Sequence, residues 1–153
     1  MDRKILTLCI LHTEGRVLLG MKKRGFGQGL FNGFGGKVEA HETPEEAAVR
    51  EMHEESGVSV VITAEHKMGI IEFSYMDTDE LHEVHIYKVE EFEGKITETD
   101  EMVPEWFPDT EIPYHQMWKD DPHWMPMLLE SKKFIGAFVF DAEKNIVKSE
   151  ISG

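Results

Sequence analysis

The sequence predicts an α+β fold, a mixed β-sheet with helices packed against its faces. Three observations carry that prediction. Apolar alternation recurs in short runs near both ends of the chain. One helix in between is capped at both ends by the residues helices favour. The elements follow in the order strands, helix, strands, helix, strands. A length of 153 residues predicts a single domain spanning 1–153, and an apolar share of 41% is enough to build a core.

The elements read in order as follows. Ile5 to His12 and Arg16 to Met21 flank the turn signal Thr13-Glu14-Gly15 and predict a hairpin. A glycine-dense loop follows from Gly25 to Gly36. Thr43 is a good N-cap, Pro44 suits the first helical position, Glu46 completes a capping box and Gly57 suits the stop, so residues 44–56 are predicted helical. Val58 to Ile62 and Met68 to Tyr75 read as strands. His82 to Phe92 alternates and pairs with the preceding run across Met76 to Glu80. Glu105 to Phe107 is a short strand between prolines. Pro122 to Lys132 is a second helix, with Met125, Leu128 and Leu129 as its apolar face. Ile135 to Phe140 and Ile146 to Ile151 form a last hairpin about Glu143-Lys144-Asn145.

Composition narrows the partners. The net charge of −14 argues against binding a nucleic-acid polymer through a general basic surface. It leaves room for a small phosphorylated substrate, because Lys22, Lys23 and Arg24 form one dense basic cluster. No apolar run approaches the ~20 residues of a membrane span, so no membrane partner is expected. The run after Lys4 is too short for a signal peptide. The lone Cys9 cannot close an internal disulfide and reads as a core residue, which points to a reducing compartment. A monomer in the cytosol is the expectation, with the nucleus or mitochondrion as further compartments in a eukaryote.

The chemistry concentrates between Gly36 and Val58. On the predicted helix, Glu51, Glu54 and Glu55 stand at i, i+3 and i+4 and share one face. Arg50 can approach Glu54 and Glu46. Three neighbouring carboxylates repel one another unless something positive sits among them, and hard divalent cations want clustered oxygens. The Gly35-Gly36 loop lies near the helix start and could add a carbonyl ligand. A glutamate triplet alone is more often a solvated face. The full pattern is not: Gly36, Glu42, Arg50, Glu51, apolar Met52, Glu54, Glu55, Gly57 and apolar Val58 at fixed spacing should arise by chance in roughly one chain in ten million.

That pattern is similar, at every defined position, to the Nudix box. The resemblance implies an α/β/α sandwich and hydrolysis of a nucleoside diphosphate linked to another group. It implies metal binding by Glu51, Glu54 and Glu55, oriented by Arg50, with Mg²⁺ as cofactor and Mn²⁺ as the alternative. Glu101, in Thr99 to Phe107, matches an additional metal-binding glutamate, and Gly35 the carbonyl ligand. Glu54, Glu55 and Glu101 all stay open as the general base.

Outside the box, Leu18 to Val38 and Glu111 to Phe140 resemble the MutT-type oxidised-purine nucleoside triphosphatases of animals. The likeness runs almost end to end. It implies that Asn32, Trp118, Asp120 and Asp121 hold the base. It implies that Thr7, Lys22, Phe26 and Phe73 line the site, and that Phe34, Gly35, Gly36 and Lys37 contact substrate. Lys119, between Trp118 and Asp120, is taken into the same set although that family carries proline there. Phe31, Leu30 and His82 also depart, from tryptophan, a basic residue and methionine. The physics agrees: two adjacent carboxylates in an apolar pocket cannot easily both ionise, so the pair can both donate and accept. Without the resemblance, Trp118 reads as core and Asp120-Asp121 as a helix N-cap before Pro122.

The implied reaction takes 8-oxo-dGTP, and 2-hydroxy-dATP with it, to the monophosphate and pyrophosphate. The rivals are a Nudix hydrolase of ADP-ribose or a dinucleoside polyphosphate, and a catalytically silent module that senses nucleotides.

Overall fold

The computed structural model describes residues 2–153. Strands β1 (Asp2–Thr13) and β2 (Arg16–Lys22) form the expected hairpin, closed by Glu14 and Gly15 at φ 54° and 73°. The pair stays bonded only from Leu11 to Thr13. Beyond that the strands diverge, and the chain from β3 (Phe31–Asn32) to Lys37 fills the gap. β3 pairs with Gly20 and Met21, and bridges join Phe34 to Cys9 and Lys37 to Leu6.

Helix α1 (Pro44–Ser56) begins on the predicted capping box. Thr43 accepts from the Glu46 amide at 3.1 Å, and Glu46 accepts from the Thr43 amide at 2.8 Å. It ends at Gly57, whose φ of 84° only glycine adopts without penalty. β4 (Lys67–Tyr75) and β5 (Glu80–Val89) are antiparallel, and β5 also lies parallel to β1. β6 (Met102–Pro108) pairs with β2 along its length. Helix α2 (Asp121–Leu129) is followed by β7 (Phe134–Phe140), parallel to β4, and by β8 (Ile146–Ser152). The main path of the sheet runs β3-β2-β1-β5-β4-β7-β8 with β6 beside β2, so it is mixed.

Strand alternation sorts the core into two layers. Cys9, Leu11, Leu18, Tyr87 and Val89 pack with Ala48 and Met52 of α1. Ile10, Val17, Leu19 and Ile86 pack with Trp124, Met125 and Leu128 of α2. The helices therefore cover opposite faces, as the resemblance implied. Cys9 is wholly buried, and burial pushes its thiol up to about 12, so it is an inert core residue.

Four elements depart most from the sequence reading. Val58 to Ile62 is not a strand. Its alternate residues Val58, Val60 and Ile62 are buried beside α1, but only Ser59 finds a bridge partner, Glu93. β5 stops at Val89 rather than Phe92, and β6 is longer than Glu105 to Phe107 because β2 offers a full edge. α2 ends at Leu129, with Ser131 in the left-handed region at φ 59°.

Candidate active site

α1 presents its acids in a gradient of burial. The Glu54 side chain is 55% exposed and that of Glu51 15%, while Glu55 is 2% exposed. Arg50 braces them from one flank. It grips both oxygens of Glu42, through Nε at 2.7 Å and Nη2 at 3.0 Å. It also donates to Glu51 at 2.7 Å, to Glu54 at 3.4 Å and to the Lys37 carbonyl at 3.1 Å. Arg50 holds Glu42 down at about 2. The structure pairs Arg50 with Glu42 and not with Glu46, because Glu46 is committed to the cap.

The glycine loop meets α1 in its second half, not at its start. Bridged to β1, the loop runs along the helix flank, where the Gly35 amide donates to Glu55 at 2.9 Å. A Cβ on Gly36 would sit 2.7 Å from the Glu51 carboxyl carbon and displace that carboxylate, while one on Gly35 would sit 1.8 Å from the Thr7 carbonyl oxygen, an approach only glycine allows. Glu101 joins from the loop before β6, close enough for its charge to act on Glu51 and Glu55. Thr99, missed in the sequence, ties that loop to the helix. It donates to the Glu55 carbonyl at 3.1 Å and accepts from the Glu101 amide at 3.3 Å. Burial first, then the Glu51 charge, pushes Glu55 up to about 8. Such a site fits a hard divalent cation: its donors are all carboxylate oxygens, and Arg50, the guanidinium that pairs with them, lies on one flank. Glu39, His41 and Glu42 also bring ligand atoms within 4.8 Å of one another, despite the absence of ligand spacing around His41. Glu42, however, is already taken by Arg50.

From Glu55 a cavity of about 470 Å³ runs between the β-sheet and the start of α2. Thr7, Lys22, Phe26, Asn32, Gly35, Gly36, Lys37, Glu55, Phe73, Trp118, Asp120 and Asp121 all line it. The structure thus brings most of the sequence-chosen residues to one space. Of the chosen residues, Arg50, Glu51, Glu54 and Glu101 lie outside it beside Glu55, and Phe34 and Lys119 are not on its wall. Phe34 is wholly buried on the α1 side, because strand alternation turns it away. Lys119 is exposed and donates to Asn145. Of the basic cluster, Lys22 alone lines the cavity; Lys23 pairs with Glu98, and Arg24 is exposed.

The inner end of the cavity is aromatic. Phe26, 62% exposed, tilts against Trp118 with ring centroids 4.9 Å apart, and Trp118 meets Phe140 edge-on at 5.5 Å. Gly27 lets this lid form: its φ is 88°, and its Cβ position would lie 3.3 Å from the Trp118 nitrogen. Asp120 and Asp121 are each 3% exposed. Asp120 occupies the N-cap position of α2, yet its side chain caps nothing; it accepts from Trp124 Nε1 at 2.8 Å. Asp121 Oδ2 has no hydrogen-bond partner among the described residues. Burial raises both aspartates, and the neighbouring Asp120 charge adds to it at Asp121, which stands well above the usual carboxylate range, so the pair resists full ionisation. Tyr75, Trp124 and Phe140 also line the wall, with Glu80 and His82 among others, and were missed in the sequence, although Tyr75 stands two residues beyond Phe73 on one strand and so on the same face.

A metal-ready acidic helix, a glycine loop against it and this fold define the class: the chain belongs to the Nudix family, whose NUDIX domain profile matches residues 2–128. It is 49% identical over 148 residues to the oxidized purine nucleoside triphosphate hydrolase of Danio rerio, covering 97% of this chain and 94% of that one. The Mus musculus protein of the same name is 47% identical over 144 residues, covering 94% and 91%. The crystal structure of a MutT protein from Bacillus halodurans superposes with a TM-score of 0.87 at 25% identity, covering 97% of each chain. No described helix is long and apolar enough to cross a membrane.

Proposed function

We propose that this chain hydrolyses oxidised purine nucleoside triphosphates to the monophosphate and pyrophosphate. The observation that carries this reading is one cavity lined by the Glu55 carboxylate and also by Trp118 and the buried Asp120-Asp121 pair. The animal relatives named for this activity, similar over nearly their whole length, support it.

Glu51, Glu54, Glu55 and Glu101 would hold the metal, Mg²⁺ or Mn²⁺, with the Gly35 carbonyl as a further ligand. When bound, the metal neutralises phosphate charge and lowers the pKa of a bound water. Arg50 keeps Glu51 and Glu54 aimed and cannot itself lose its proton, being anchored on Glu42. Lys22, beside Glu55, meets the negative phosphate chain. Glu54 and Glu101, both exposed, are better placed than the buried Glu55 to meet an attacking water. At the base end, Trp118 supplies a stacking face. Asp121 donates its proton and Asp120 accepts, so the pair and Asn32 read a purine edge that offers both N–H and oxygen. Thr7 Oγ1, buried and unpartnered among the described residues, and Lys37 also line the cavity and would serve the sugar.

A product assay over a panel of 8-oxo-dGTP, 2-hydroxy-dATP, dGTP, ADP-ribose and a dinucleoside tetraphosphate tests this. Pyrophosphate plus 8-oxo-dGMP as the fastest products is the expected result. Release of orthophosphate and a diphosphate, or preference for ADP-ribose, would contradict it.

A further inference from the structure

One wall of the cavity carries polar groups that the reaction does not use. Tyr75 closes β4 and His82 stands opposite Phe73 on β5, so all three side chains share a sheet face. The Tyr75 ring stacks on Phe140 at 6.0 Å and meets Phe26 edge-on at 5.8 Å, so its position is fixed by packing. Its hydroxyl lies 3.3 Å from His82 Nδ1, and His82 Nε2 lies 3.3 Å from Glu80 Oε1. Glu80 in turn faces Lys4 at 3.3 Å. A hydrogen-bonded chain therefore runs from the surface into the cavity.

The directions in that chain follow from chemistry. An ionised carboxylate only accepts. Glu80 is held below its usual range by His82 and Lys4, so it stays ionised. His82 must then carry its hydrogen on Nε2. In the neutral ring Nδ1 is left as an acceptor, and it takes the Tyr75 O–H. Burial, and then the Asp120 and Glu80 charges, raise Tyr75, so it keeps that hydrogen. With its one hydrogen committed, the Tyr75 oxygen can only accept within the cavity.

We propose that Tyr75, positioned by His82 and Glu80, is a specificity residue that accepts a hydrogen bond from an N–H on the imidazole edge of the bound purine. It rests on the reading of this cavity as the base site. Asp120, Asp121 and Asn32 take one polar edge of the base, and the β4–β5 wall faces what remains. In guanine and adenine, N7 on that edge is an acceptor, which the Tyr75 oxygen would repel. Oxidation at C8 in the keto form places a hydrogen on N7 and turns it into a donor. 2-Hydroxyadenine keeps a bare N7. The chain Tyr75-His82-Glu80 thus selects 8-oxopurines over both undamaged purines and purines oxidised elsewhere.

The test uses calorimetric titration of nucleoside monophosphates in EDTA, which removes the metal from the readout. Tyr75→Phe keeps the ring and its stacking. It should weaken 8-oxo-dGMP about tenfold, the size of one lost hydrogen bond, while 2-hydroxy-dAMP and dGMP, relieved of the repulsion at N7, bind no more weakly than before. Glu80→Gln, which no longer fixes the His82 tautomer, should lose part of the same discrimination. In the unmodified protein, ¹⁵N spectra should show His82 protonated on Nε2 and not on Nδ1. Equal losses for 8-oxo-dGMP and 2-hydroxy-dAMP, no loss at all, or a hydrogen on Nδ1 would overturn the proposal while leaving the base site standing. Failure of the unmodified protein to bind any oxidised purine would overturn the base-site reading and this inference together.

Discussion

Two clusters of neighbouring carboxylates, at the two ends of one cavity, solve the same electrostatic problem in different ways. On α1, Glu51, Glu54 and Glu55 come from helix spacing and stay graded from exposed to buried. At α2, Asp120 and Asp121 are adjacent in sequence and both shut away from water. Burial and like charge raise Glu55 and Asp121 alike. The helix cluster, open to solvent and braced by Arg50 on one flank, is arranged to take in an external cation. The aspartate pair has Trp124 Nε1 as a neutral donor, and its burial and mutual repulsion oppose full ionisation. The first arrangement suits phosphate chemistry and the second suits reading a neutral base.

Breaking the helix cluster should have the largest effect. Glu55→Gln removes a charged metal ligand but keeps the shape and the Gly35 contact, so turnover with Mg²⁺ should fall by several orders of magnitude while circular dichroism stays unchanged. Near-normal turnover at saturating Mg²⁺ would remove Glu55 from the metal site.

Breaking the aspartate pair should cost less and change a ratio. Asp120→Asn keeps one acceptor oxygen, which Trp124 Nε1 engages, and turns an NH2 donor to where the other oxygen faced the base, a mismatch costing ~1–3 kcal/mol, or roughly tenfold to a hundredfold in kcat/KM for 8-oxo-dGTP. Asp121→Asn imitates the protonated side chain, so its loss should be smaller. Specificity constants for 8-oxo-dGTP and 2-hydroxy-dATP on both variants check this order.

The apo protein sharpens the comparison through pH. Glu55 sits at about 8 in the fold against an ordinary 4.5, so the unfolded chain gives up this proton first. Its contribution to stability therefore declines as pH rises from 4.5 to about 8 and is level above that. Glu55→Gln should remove the decline. Denaturant melts in EDTA should show the variant gaining on the parent with rising pH, by on the order of 1–3 kcal/mol at pH 8. A difference that does not vary with pH would contradict the assignment. Smallest of all, Thr43→Ala removes one half of the capping box and should cost ~1 kcal/mol, a fall of roughly 2–4 °C in Tm, with the substrate ratios unmoved.

The two clusters also differed in how legible they were. α1 was readable to the residue because caps, glycine stop and acid spacing are all local signals. Its partner Arg50–Glu42 was not, since Glu42 lies before the cap and only the folded turn brings it back. The base end is assembled from β1, β4, β5 and the start of α2, so periodicity alone could not show it. Family likeness supplied Trp118, Asp120 and Asp121, while Tyr75, Trp124 and Phe140 were missed because each also reads as ordinary core. Phe34 and Lys119 were drawn in by their neighbours in sequence, and the side-chain directions take them elsewhere. Val58 to Ile62 alternates like a strand but meets no free sheet edge, an outcome set by tertiary structure.

The division of labour itself is tested most directly by kcat/KM for 8-oxo-dGTP and 2-hydroxy-dATP on Glu55→Gln and Asp120→Asn side by side. The account predicts that Glu55→Gln lowers both constants by a similar factor and leaves their ratio intact, whereas Asp120→Asn collapses the ratio. A changed ratio in Glu55→Gln, or an unchanged one in Asp120→Asn, would contradict it.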